Sequence, residues 1–356
     1  MSIRVGTIGA SFARRAYLPA LATIDDVELV AIASARMSSA QSAGEMFGIP
    51  HIYDDWEKMI AAHEFDLVCI ATPTVYHAPM TLAALRAGAH VLCEKPMAMN
   101  QDESAQMLET AESLNRLHII GHELRFNPNR KKIKALIESG AIGAVRHVNI
   151  VNISAAWGDP ASRPTGDWWS REDMGGGRLG ANGSHQIDLL RFWLGDVAAI
   201  SGQVATMMPN RIDRESGKAW TATADDQSSF MMEMQSGALC SVFLSGVARH
   251  GIENHTQIFG SEGTILLSNS DEKLFVARVD EDYEDMSIQD PNANLKGIQS
   301  GIWNVSFVAL MVELTSAIRE GRKLAWGATF ADGHRCQMVM DAVRRSSAER
   351  RWIDLP

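Results

Sequence analysis

Two hydrophobic periods alternate from the start of the chain to Gly121, and no other feature narrows the possible folds as much. Ile3 to Gly9 is a short apolar run of the kind a buried strand shows, and Ala13 to Thr23 then reads as a helix with Pro19 inside it. Val27 to Ser34 is the next strand, and Ser38 to Phe47 a helix stopped by Gly48. Asp66 to Thr72 is a third strand, Pro79 to Ala87 a helix with Gly88 as its stop signal, and His90 to Glu94 a strand. Asp102 to Leu117 reads as a long helix and His118 to Gly121 as another strand. Strands that are apolar throughout, separated by single helices, belong to parallel β-α-β units whose sheet is covered on both faces. The expectation is an α/β chain opening with a doubly wound parallel sheet.

The pattern changes after Gly121. Asn127 to Ser139 is an amphipathic helix whose Arg130, Lys131, Lys132 and Lys134 read as a wet face, and Val145 to Ser154 alternates like a strand. A loop rich in Trp, Asp and Gly runs from Trp157 to Gly183, and Ile187 to Leu194 reads as a helix. Gln227 to Glu233, Ala238 to Ser245, Thr256 to Phe259 and Thr264 to Leu267 follow as strands, the last two joined by a turn. Such clustering points to a larger open sheet, mixed or mostly antiparallel. Asp280 to Gly301 is a polar excursion, and helices at Val305 to Glu320 and Phe330 to Ala348 close the chain. At 356 residues the chain exceeds what one core usually serves. The change of pattern places the boundary at 123/124, with a nucleotide-binding domain over 1–123 and a substrate domain over 124–356.

Charge and cysteines exclude several functions. A net charge of −10 argues against nucleic acid and anionic membrane as partners. The four cysteines show no C-x-x-C spacing, so no metal site is expected; Cys69 and Cys93 sit in apolar runs as small hydrophobes. The first residues carry no signal-peptide pattern, and no uninterrupted apolar run approaches about 18 residues. A cytoplasmic protein is the expectation.

Several constellations carry chemistry. The turn after the first strand, with Gly9, Ser11, Phe12 and Ala13, joins a strand to a helix start, the setting in which backbone N–H groups receive a pyrophosphate. Against G-x-G-x-x-G only Gly9 fits; Ser11 and Arg14 stand where the other glycines would. At the end of the second strand an NAD site carries a carboxylate for the ribose, whereas this chain has Ser34 with Arg36 close by. A hydroxyl and a guanidinium suit a 2′-phosphate, so NADP is the expected cofactor, with NAD as the other possibility. Thr72, Pro73 and His77 lie at the carboxyl end of a buried strand, where open α/β sheets bind ligands; His77 either faces that crevice or starts the next helix with a local hydrogen bond. Glu94 and Lys95 end another strand, beside the expected nicotinamide, and count among the cofactor-binding candidates. A lysine there can hold a substrate oxygen and stabilise alkoxide character, with Glu94 holding the lysine. Gly175–Gly177 precede Leu179–Ser184 and then His185, with Asp188 one turn further on; a histidine so placed can act as general base.

As a set, these motifs resemble the glucose-fructose oxidoreductase/inositol dehydrogenase/MocA-like family. The likeness runs from VGTIGASFARRAYLPAL through ATPTVYH, CEKPMAMN, GHELRFNPN, IESGAIGAVRHV, GGGRLGANGSHQIDLLRFWLG and FGSEGTILL to FADGHRCQMVMDAVRRSSAERRW, nearly the whole chain. The resemblance implies a Rossmann domain, then a domain whose open sheet covers the cofactor and forms homo-oligomer contacts, most simply a homodimer or homotetramer. It implies hydride transfer between a nicotinamide and a secondary alcohol or ketone of a sugar, cyclitol or related small molecule. Lys95 takes the position of the family's EKP lysine, His185 that of its histidine, and Asp188 that of the aspartate on the following helix. Many catalytic members carry an aspartate four residues before the histidine; here that residue is Ala181. A redox sensor that binds NADP without turnover is therefore the rival reading, and Lys95 with His185 argues against it. His122, Arg125, Trp168, Trp169 and Arg171 are the candidates for the substrate side.

Overall fold

A six-stranded parallel sheet forms because each apolar run of the N-terminal segment is followed by a chain reversal that brings the next run back alongside. The computed structural model describes residues 2–252, 254–268 and 271–356. Its elements begin β1 (Ile3–Ile8), α1 (Tyr17–Leu21), β2 (Val27–Ala33), α2 (Met37–Phe47), β3 (His51–Tyr53), α3 (Trp56–Ala62), β4 (Leu67–Ile70), α4 (His77–Arg86), β5 (His90–Cys93), α5 (Gln101–Ser113) and β6 (His118–Ile120). The order β3-β2-β1-β4-β5-β6 is all parallel, so the sheet reverses direction of growth between β1 and β4. That switch point opens the crevice in which such sheets bind ligands.

Three local features differ from the sequence reading. The helix expected over Ala13–Thr23 is only Tyr17–Leu21, and residues 11–16 fold as successive turns. Pro19 has no N–H to give to Arg15, so a helix begun at Ala13 would lack a bond in its middle. The pair β3 and α3 was not expected. Asp55 caps α3 by accepting from the amides of Glu57 and Lys58. The helix is short, and its only buried residue is Met59, so it carries little periodic signal.

The second sheet is built from α6 (Pro128–Glu138), β7 (Val145–Ile153), α7 (Ser184–Leu194), β8 (Val197–Ala205), the small hairpin β9 (Asn210–Ile212) and β10 (Ala219–Thr221), β11 (Gln227–Met234), β12 (Leu239–Ser245), β13 (His255–Gly260), β14 (Gly263–Ser268), β15 (Leu274–Arg278) and β16 (Glu284–Asp285). With β17 (Ile353–Asp354) it runs β16-β15-β14-β13-β7-β12-β11-β8-β17, antiparallel except between β7 and β12. Its strands alternate as half-buried strands should: Ser228, Phe230, Met232 and Met234 of β11 face inward, as do Cys240, Val242 and Leu244 of β12. Met231, Leu239 and Phe243 stay exposed on the other face. Arg130 is not on a wet face of α6. It is buried with Glu272, 2.6 Å from Nη1 to the carboxylate.

The last helices are α8 (Ile302–Glu320) and α9 (Phe330–Glu349). By its contacts the chain forms two compact units, Met1–Asn127 with Gln289–His334, and Pro128–Ile288 with Arg335–Pro356. The first crossing lies close to the expected 123/124, but one cut does not suffice. Phe307, Val308, Leu310, Met311 and Leu314 of α8 enter the core built by Tyr17, Leu18 and Leu21. Burying each such side chain contributes about 1.5–3 kcal/mol, which holds α8 to the first unit. By length and composition α8 is apolar enough to cross a membrane; half of it is packed in this core.

Candidate active site

The chemistry-bearing residues of the first unit stand at the carboxyl ends of its strands. After β1, Gly9 turns at φ +97°, and a Cβ there would lie 2.2 Å from the carbonyl oxygen of Ala71, which follows β4. The two strand-end loops therefore touch at the switch point, and only glycine permits it. Ser11 is exposed at the tip of the turn, Phe12 is half-buried, and Ala13 is buried. The amides of Arg14, Arg15 and Ala16 are spent inside the turn, on the carbonyls of Ala10 and Phe12. No helix begins at Ala13, where the sequence reading put the N-terminus that would meet a pyrophosphate. The backbone N–H of Ser34 is fixed on Tyr53 O at 3.0 Å. Arg36 is exposed where α2 begins, and Arg14 reaches α2 through Ser42 Oγ at 2.9 Å. A close glycine contact, an open small-residue turn and basic side chains beside the second strand's end suit a dinucleotide.

Glu94 and Lys95 follow β5. Glu94 is only 7% exposed and is not a surface ion pair. Its Oε1 accepts from Tyr17 Oη at 2.6 Å and its Oε2 from the Lys95 amide at 3.2 Å. Burial raises the Glu94 carboxyl above the ordinary range, against the pull of the Lys95 charge and the Tyr17 hydroxyl. His77, expected against the cofactor, is completely buried, with Nε2 2.9 Å from Thr72 O and Nδ1 2.9 Å from Pro96 O. Its ring braces the two loops, while Thr72 and Pro73 stay half-buried. Arg125, expected on the substrate side, is likewise buried: it pairs with Asp332 at 3.1 Å and donates to Gly327 O at 3.2 Å. This ties residues 123–126 to the start of α9, a structural use. His122 is buried at the end of β6.

In the second unit the glycine run feeds a π-helical turn, Leu179–Gly183, that passes directly into α7. Such turns concentrate at functional sites. The helix starts at Ser184, earlier than Ile187, so His185 lies in its first turn with Asp188 one turn on, and both are 1% exposed. Sequence reasoning missed what anchors this turn. The Asp225 side chain accepts from the Leu179 amide and its carbonyl from the Arg178 amide, each at 2.8 Å. Gly177, at φ +116°, leaves room for that carboxylate; a Cβ would lie 2.2 Å from Asp225 Oδ1. Burial lifts the Asp225 carboxyl to about 6. Nothing in the stretch Thr223–Gln227 signals this role, because it depends on a contact across more than forty residues of chain.

The loop before the glycines is clamped. Arg211, 2% exposed, donates to Trp157 O at 2.7 Å and faces Asp226 at 3.5 Å. Arg163 binds Asp167 with two bonds and lies over the Trp157 ring. Trp168 and Trp169 stack on each other with centroids 3.9 Å apart. Arg171 is exposed and forks onto Asp173. Charge pairing and aromatic packing thus account for much of this loop.

Residues 3–122 match the oxidoreductase family described by its NAD-binding Rossmann fold, and residues 131–266 match the GFO/IDH/MocA C-terminal domain. The chain belongs to the GFO/IDH/MocA oxidoreductase family. Among relatives of this oxidoreductase, levoglucosan dehydrogenase of Pseudarthrobacter phenanthrenivorans is 28% identical over the whole chain and 98% of its own. Myo-inositol 2-dehydrogenase of Thermotoga maritima is 26% identical, covering 84% of this chain and 89% of its own. The solved structure of a levoglucosan dehydrogenase with NADH and L-sorbose superimposes with a TM-score of 0.89 at 27% identity, covering both chains completely. The oxidoreductase thus has the parallel sheet and the mixed, mostly antiparallel sheet that its sequence led us to expect.

Proposed function

We propose that this oxidoreductase interconverts a secondary alcohol and a ketone on a sugar, cyclitol or related polyol, and that it prefers NADP. The observation that carries the reading is the corner after β5, where a buried carboxylate backs Lys95 at the ligand end of the parallel sheet. The dinucleotide, when bound, supplies the nicotinamide that accepts or gives the hydride. Gly9, Ser11, Phe12, Ala13, Ser34, Arg36, Thr72 and Pro73 are the residues that would hold it. Lys95 directs its ammonium at the reacting oxygen and stabilises alkoxide character there. His185 takes the hydroxyl proton in oxidation and returns it in reduction, and Asp188 orients His185. The relatives named above act on polyhydroxylated rings, which supports that substrate class.

The NADP preference rests on this chain's own residues: Ser34 in place of a carboxylate, with Arg36 and Arg14 on the same flank. Exposed Met231, Leu239 and Phe243 on the open sheet face support self-association, as a homodimer or homotetramer. The deciding experiment titrates the protein with NADPH and NADH by nicotinamide fluorescence. Initial rates are then measured with levoglucosan and myo-inositol. Tighter binding of NADPH and turnover of a polyol support the reading. Tighter NADH binding removes the NADP preference, and binding without turnover on any polyol favours the sensor that Ala181 suggests.

A further inference from the structure

Tyr17 has a hydroxyl in a place where a packing residue needs none. The side chain is fully buried. Its ring meets Phe12 and Phe307 edge to face, with centroids 5.7 and 5.1 Å away. Its hydroxyl donates to Glu94 Oε1 at 2.6 Å, and the other carboxylate oxygen receives the Lys95 amide. Gly121 closes the pocket: a Cβ there would lie 2.8 Å from Glu94 Oε1 and 3.1 Å from the Tyr17 oxygen. A carboxylate held among apolar side chains is costly unless donors meet it, and here the side-chain donor comes from α1. Among the titratable groups that face Glu94 are Tyr17 from α1, Lys95 from its own loop and Cys93 at the end of β5. The thiols of Cys69 and Cys93 lie near Tyr17, and burial pushes both up, so they stay neutral.

We infer that Tyr17 is a positioning residue for Lys95: its hydroxyl holds the Glu94 carboxylate in place, and Glu94, which accepts from the Lys95 amide, holds Lys95 for the substrate oxygen. The inference rests on the proposed role of Lys95 and deepens it. Tyr17 also packs on Phe12 of the nucleotide turn, so one ring joins the cofactor side to the lysine.

The test uses Tyr17→Phe, which keeps the ring contacts. With the hydroxyl gone, Glu94 loses the side-chain donor that fixes it, and its hold on Lys95 loosens. Peptide-resolved labelling by trinitrobenzenesulfonate at fixed pH is expected to speed up at Lys95 by about threefold or more, because a side chain no longer held beside a carboxylate is more open to the reagent. With myo-inositol or levoglucosan as substrate, kcat is expected to fall about tenfold while NADPH affinity holds. Glu94→Gln should reproduce both effects, and Tyr17→Phe added to it should change neither further. An unchanged Lys95 labelling rate, or additive losses in the double variant, overturns the inference. Should Tyr17→Phe fail to fold, Glu94→Gln decides by its Lys95 labelling rate alone. Turnover that survives Lys95→Ala would remove the role proposed for Lys95 but leave the labelling result to judge Tyr17.

Discussion

Nδ1 of His77 lies 2.9 Å from the carbonyl oxygen of Pro96, so a residue at the start of α4 fixes the loop that carries Lys95. The other ring nitrogen faces Thr72 O. His77→Ala would strand the one carbonyl that a neutral imidazole donates to and open a cavity, at a cost of about 2–4 kcal/mol measured by urea unfolding. Burial outweighs the carbonyls of Thr72, Pro96 and Met97 and pushes the imidazole below its ordinary value. The unfolded chain then binds a proton first as pH falls. The His77 contribution to stability is present above the ordinary histidine value of about 6.5 and is lost as pH drops below it. His77→Gln should flatten that acid-side decline, and an unaltered decline would contradict a neutral buried imidazole.

Lys95→Ala should lower kcat about a hundredfold or more, because a donor aimed at a developing oxyanion is worth that much. Cofactor affinity should change by less than about threefold, since most of the nucleotide contacts proposed lie elsewhere. Paired measurement of turnover and NADPH fluorescence checks the split; an equal loss in both would make Lys95 a binding residue.

Gly9→Ala should abolish nucleotide binding. Its φ of +97° and the 2.2 Å approach to Ala71 O both resist a side chain, and the obstacle is backbone that cannot rotate away. Gly48→Ala is the control, since its φ of +68° ends α2 over open space. The control should cost about 1 kcal/mol and leave cofactor affinity intact. Equal effects from the two variants would mean that the contact between the β1 and β4 loops does not shape the site.

The parallel sheet was legible because a doubly covered strand must be apolar at every position, as Leu67–Ile70 is. The length of α1 was misread because apolar spacing does not show that residues 11–16 close turns on themselves. Edge elements such as His51–Tyr53 bury too little to leave a pattern. Among the candidate residues of the two units, Lys95 and His185 each stood out as charged or titratable residues where packing wants none. Their supports did not. Tyr17 reads as one more residue of a core helix, and Arg125 as a candidate for the substrate side, until Glu94 and Asp332 are seen opposite them. Such roles lie in pairings far apart in sequence, and composition or period cannot report them.

Asp225 offers the sharpest test of the turn that carries His185. Burial raises its carboxyl to about 6, above the ordinary value, while the amides of Leu179 and Arg178 and the charge of Arg344 oppose the rise. Because the folded value is the higher one, the folded protein holds this proton more tightly than the unfolded chain. The Asp225 contribution is therefore fully present below about pH 4 and is lost as pH rises through about 6, a swing of roughly 2–3 kcal/mol. Asp225→Asn keeps an acceptor for the Leu179 amide but cannot ionise. Across that window the variant should lack the decline that Asp225 imposes, so the stability difference between the two proteins should move in favour of the variant as pH rises. Urea unfolding of both proteins at a series of pH values measures the difference directly. A constant offset would show that the carboxyl titrates like an exposed one, and the clamp on Leu179 would then hold without a buried charge.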